Sequence, residues 1–127
     1  MGSDIPVEVR QFVAQHIGSL EQLEVLLLVS ALPDRQWSAE AVYKVVLSNP
    51  AVVAKRLEDF VKDGLLRSSG DPPLYQYAPA TEELGNQVAA LSAAYKISRH
   101  KIVELIYTST ANPIKAFSDA FKLKREK

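Results

Sequence analysis

The stretch NPAVVAKRLEDFVKDGLLRSSGDPPLYQY, residues 49–77, constrains the fold more than any other part of the chain. Asn49 is a strong N-cap, and Pro50 suits the first helical position, where its missing N–H costs nothing. Val53, Leu57, Phe60 and Val61 then recur at helical spacing, and Gly64 stands where a left-handed C-terminal cap belongs. Two short apolar-polar runs follow, Leu65 to Ser69 and Leu74 to Tyr77, separated by the turn formers Gly70-Asp71-Pro72-Pro73. A helix feeding directly into a β-ribbon is the expected local structure.

The flanking sequence supplies helices for this unit to pack against. Val9, Phe12, Val13 and Ile17 define one apolar face of a leading helix, set within residues 5–18, with Asp4 and Pro6 at its start. Ser19 caps a second helix in capping-box register with Gln22. Leu20, Leu23, Val25 to Val29 and Leu32 make that helix apolar over most of its circumference, so it belongs in the core. Pro33-Asp34-Arg35 closes it, Gln36-Trp37-Ser38 reads as a short extended piece, and Ser38 caps a helix from Ala39 to about Leu47. Ala41, Val42, Val45 and Val46 form its buried side. Trp37, at the start of the small strand, reads as core.

Beyond Tyr77, Thr81 caps a helix whose first turn carries Glu82 and Glu83, favourably placed at the positive end of the dipole. Leu84, Val88, Leu91 and Tyr95 share one face of it. Ser98 caps a further helix containing Ile102, Val103, Leu105 and Ile106, Thr108 to Pro113 reads as a break, and Ile114, Phe117 and Phe121 line one side of a basic terminal segment.

With 127 residues and no repeat, one domain spanning 1–127 is expected, with a core at 19–79, the leading helix at 5–18 and a helical extension at 80–127. The absence of cysteine leaves no disulfide framework and no thiolate nucleophile, in keeping with a cytoplasmic protein. No run approaches the roughly 18 apolar residues of a membrane span, and Asp4 and Glu8 oppose a signal peptide, so no membrane partner is expected. Net charge is zero but unevenly spread. There are three cations against six anions in residues 1–48, four against six in 49–94, and eight against three in 95–127. A large phosphate footprint calls for a more basic total.

Two adjacent helices joined by a tight turn, then a ribbon, make a helix-turn-helix with an appendage. Residues 19–79 resemble the winged-helix domain of bacterial transcriptional regulators of the MarR and ArsR type. The resemblance is carried by Ala51-Val52-Val53-Ala54-Lys55-Arg56-Leu57 and Asp63-Gly64-Leu65-Leu66, which fill the frame of a recognition helix and the glycine before its wing. It implies a mainly α winged helix-turn-helix fold. It also implies a cytoplasmic regulator that binds double-stranded DNA, with Lys44, Lys55, Arg56 and Arg67 as phosphate contacts and Val52 at base edges.

The residues themselves keep a second function open, a winged helix used as a protein-interaction or dimerisation module. Bases are discriminated through bidentate Arg, Asn or Gln contacts, and the start of this helix offers alanines and a valine. Glu58, Asp59 and Asp63 share the helix with Lys55 and Arg56, and Asp71 makes the ribbon tip acidic. Regulators of this architecture commonly dimerise through helices outside the reading head, which assigns Leu84, Val88, Leu91 and Tyr95 to a homodimer interface. Ile114, Phe117 and Phe121 form a surface for a second copy or another protein.

Catalytic and metal chemistry find no constellation. His16 and His100 are far apart in sequence and read as surface or boundary residues. Ser98-Arg99-His100-Lys101 spells S-x-x-K, but no K-T-G element accompanies it, and Ser98 is explained as a cap. The glycines follow no phosphate-cradling order. No enzyme activity and no cofactor are expected.

Overall fold

The structure, a computed structural model, describes residues 5–111. Its elements run α1 (Val7–His16), α2 (Leu20–Ala31), α3 (Ala39–Val46), α4 (Pro50–Lys62), β1 (Leu66–Ser69), β2 (Leu74–Tyr77), α5 (Glu82–Ile97) and α6 (Arg99–Ala111). The protein is mainly helical, with one small antiparallel sheet.

Local chemistry sets the helix starts. The side chains of Ser19, Ser38 and Thr81 accept hydrogen bonds from the N–H groups of Gln22, Ala41 and Leu84. Asn49 Oδ1 accepts from both Ala51 and Val52. Each such cap answers an N–H that the helix cannot bond internally and contributes about 1 kcal/mol. α1 differs, starting after Pro6 without a side-chain cap, and Asp4 lies outside the described residues.

The end of α4 is where the glycine is needed. Gly64 adopts φ +83°, and the Leu65 N–H reaches back to the Phe60 carbonyl at 2.9 Å, which turns the chain directly into the ribbon. β1 and β2 pair in the register Leu66 with Tyr77 through Ser69 with Leu74. Trp37 adds one rung outside β2, exchanging two 2.7 Å backbone hydrogen bonds with Tyr75. The extended piece expected around Trp37 thus joins the sheet, and its indole is 1% exposed.

One core serves all these elements. Leu23, Val25, Leu26 and Val29 of α2 are fully buried at its centre, together with Val42, Val53, Leu57 and Phe60 of the α3–α4 pair. Burying such a side chain contributes about 1.5–3 kcal/mol each. Val9, Phe12 and Val13 seat α1 against α5 and α6, where Val88, Leu91, Ile102 and Ile106 meet them.

Three expectations are corrected. Val45, read as part of the buried side of α3, is 56% exposed. Residues 108–111, read as a break, continue α6, because Thr108 to Ala111 contain no helix breaker and the proline stands later, at Pro113. Val88 and Leu91, assigned to a homodimer interface, are 2% and 0% exposed within the single chain. α1 and α6 cover that stripe, which leaves those two side chains no surface for a second copy. Among the described residues no single helix is long and apolar enough to cross a membrane.

Candidate macromolecule-binding surfaces

One candidate face is built by α3, α4 and the bend at Leu47 to Asn49. Leu47 makes this bend in the left-handed conformation, φ 58° and ψ 44°, with its N–H on the Tyr43 carbonyl at 2.7 Å. A leucine pays a steric penalty in that region that a glycine would not. Its side chain is nevertheless 70% exposed, beside Val45 at 56%. The outward side of the first turns of α4 continues in the same character, with Ala51 exposed and Val52 and Ala54 half-buried.

The cations of this face are engaged by carboxylates of the same chain. Lys55 Nζ lies 3.3 Å from Asp59 Oδ1, one helical turn along. Arg56 Nε donates to Glu21 Oε1 at 3.3 Å, tying α4 to α2, and the Ser48 hydroxyl donates to the other oxygen of Glu21. Lys44 sits 3.7 Å from Glu40. Arg56 and Glu21 are the best sheltered of these charges, at 27% and 18% side-chain exposure, whereas the Lys44 pair is fully in solvent. None of the three partners followed from sequence alone except by helical spacing, which marks Glu40 and Asp59 but not Glu21.

The ribbon carries a second set of polar groups. Arg67 Nη2 donates to Gln76 Oε1 at 3.3 Å, and Gln76 Nε2 donates to the Pro33 carbonyl at 3.1 Å. Arg35 stacks over the Trp37 ring, its guanidinium carbon 3.7 Å from the centroid. Behind them the Tyr75 hydroxyl donates to Glu58, locking β2 to α4. Burial, the hydrogen bond to Glu58 and the Glu58 charge together push the Tyr75 hydroxyl up from its ordinary 10.0 to about 12. Burial also pushes Tyr77 up. Asp71 is exposed at the tip.

The remaining expected site residues are dispersed. Leu84 and Tyr95 are half-buried against the core. Tyr95 borders a depression with Leu27, Leu28, Val45 and Val46, and Arg99 lies over its ring at 5.7 Å. Ile114, Phe117 and Phe121 lie outside the described residues. His16 is held by Asp63, Nδ1 to Oδ2 at 2.9 Å, and rests on Phe12, which pins α1 to the end of α4. His100 is exposed in the first turn of α6, and no group of three or more metal-ligating side chains forms among the described residues.

A separate groove of about 840 Å³ opens where α5 meets α6, with Leu20, Ile97 and Val103 among its apolar lining. Ile97 is 83% exposed. Comparison with known protein families, with curated proteins and with solved structures finds no significant match to this chain.

Proposed function

We propose that the chain is a winged-helix protein that uses its fold to bind another protein rather than to read DNA. In this reading α3 and α4 are the helix-turn-helix, and β1–β2 with the Trp37 rung is the wing. One observation carries it. Lys55 and Arg56, the cations that a helix in the major groove would set against phosphates, are both engaged by carboxylates, and Val45 and Leu47 stand exposed on the same helix pair. Binding duplex DNA would require those carboxylates to be released next to a polyanion. Contact with a protein requires only that Val45, Leu47 and Val52 be covered. A cysteine-free sequence fits a cytoplasmic setting, and no catalytic chemistry is assigned.

The second reading, a cytoplasmic DNA-binding regulator acting as a homodimer, is favoured by the ribbon. Among the described residues Arg35 stacks on a ring and Arg67 donates to an amide, and neither has a carboxylate within ion-pair distance. Lys44, Lys55, Arg56 and Arg67 would then meet phosphates, with Val52 at base edges.

Titration of the full chain into a labelled mixed-sequence duplex at about 50 mM salt separates the two. The protein-binding reading expects no saturable binding at this ionic strength. Tight binding that falls steeply with salt, with a slope reduced by about two charges in the Lys55→Ala, Arg56→Ala double variant, would overturn it.

A further inference from the structure

We infer that the groove between α5 and α6 is a docking site for an acidic amphipathic helix of a partner protein. This goes beyond the protein-binding reading above by adding a second surface, separate from Val45, Leu47 and Val52, and rests on that reading. The groove's apolar lining comes from Leu20, Ile97 and Val103, and Ile97 stands almost wholly in solvent at 83% exposure. Leaving such a side chain uncovered forgoes most of the stabilisation its burial could supply. Ile97 at the end of α5 and Val103 on α6 both line the groove, so an incoming helix could set its apolar face against both helices.

The rim decides the sign of the partner. Lys96, Arg99 and His100 border the groove, facing a single carboxylate, Glu104. Among the described residues neither Lys96 nor Arg99 has a carboxylate within ion-pair distance. This contrasts with Lys44, Lys55 and Arg56, each of which is paired within the chain. Among the described residues, the cations of the α3–α4 face thus meet carboxylates, whereas Lys96 and Arg99 do not. A helix with leucine-like side chains on one face and glutamate or aspartate flanking them would satisfy both lining and rim.

Other occupants meet the same rim less well. Residues 112–127 include Ile114, Phe117 and Phe121 but carry five cations against two anions, so that segment would bring like charge to Lys96 and Arg99. A second copy would bring the same rim, two cations against one carboxylate, to this surface. Electrostatic complementarity singles out the acidic helix.

The test uses the full chain and a fluorescein-labelled synthetic helix about 20 residues long, with leucine on one face and glutamate on the other. Its lysine counterpart and a peptide of residues 112–127 serve as competitors, and sedimentation monitors self-association. Expected is saturable binding of the glutamate helix that weakens as salt rises. Ile97→Ser, or Lys96→Glu combined with Arg99→Glu, should each weaken it by at least about tenfold while circular dichroism is unchanged.

The inference is overturned if the glutamate helix does not bind or binds these variants equally well. It is also overturned if the lysine helix or the 112–127 peptide displaces it, or if the chain self-associates through a contact that Ile97→Ser abolishes. Failure here without DNA binding removes only the groove, whereas a steep salt slope on duplex DNA removes the protein-binding reading itself.

Discussion

The Tyr75 hydroxyl donates a hydrogen bond to the Glu58 carboxylate and so fastens the ribbon to the outer side of α4. Tyr75 is 2% exposed, and its backbone also pairs with Trp37, so three separately folded pieces meet at this residue. The orientation of the ribbon relative to α4 depends on that junction.

Tyr75→Phe keeps the ring and both backbone bonds and deletes only the hydroxyl. Glu58 is exposed and regains water, so the loss should be about 0.5–1.5 kcal/mol, measured as a lower urea midpoint with unchanged slope. Alkaline pH gives a second readout. The folded Tyr75 hydroxyl titrates at about 12 against 10.0 in its ordinary state, so its contribution is fully present below pH 10 and is lost as pH rises from 10 through 12. The Phe variant should lose less stability across that window than the parent, and its absorbance titration near 295 nm should lack the latest step.

Local signals made most of the elements legible in the sequence. Asn49, Ser19, Ser38 and Thr81 cap helices as side-chain chemistry requires, and Gly64 and Gly70 take the positive φ values that the turns need. Long-range pairings were not legible, because Glu21 and Arg56 are separated by 35 positions and His16 and Asp63 by 47, and nothing in either local pattern marks the partner. The Leu84-Val88-Leu91-Tyr95 stripe illustrates the same limit. Its periodicity identifies an apolar face but does not say whether α1 and α6 or a second chain will cover it.

Arg56 and Glu21 should couple more strongly than Lys55 and Asp59. The first pair bridges two helices in partial shelter, whereas Lys55 is 69% exposed and its partner is one turn away on the same helix. Double-mutant cycles to alanine should return about 1 kcal/mol for the inter-helix pair and about 0.3–0.5 kcal/mol for the i,i+4 pair. Adding 0.5 M salt should reduce the second further than the first.

Two backbone positions should respond in opposite directions. Gly64→Ala places a Cβ at φ +83°, 3.3 Å from the Ala80 Cβ, and should cost about 1–2 kcal/mol. Leu47→Gly relieves a left-handed leucine at φ 58° that is 70% exposed, and should stabilise by about 0.5–1 kcal/mol. Urea unfolding of both variants checks the pair. A Leu47→Gly protein that is more stable yet loses affinity for a protein partner would place Leu47 in the contact, since the backbone strain would then be retained for binding.

Leu91 is the residue at which core and interface roles separate most cleanly. It is fully buried inside one chain, in the layer where α5 meets α1 and α6. Leu91→Ala should therefore cost about 2–5 kcal/mol through lost transfer energy and the cavity left behind. The loss should be the same at every protein concentration, because the side chain buries itself within a single copy. Tyr95→Ala, on the half-buried end of the same stripe beside Arg99, should cost less. Thermal unfolding across a hundredfold dilution series measures both. A Leu91→Ala penalty that grew with protein concentration would return this stripe to an interface between copies.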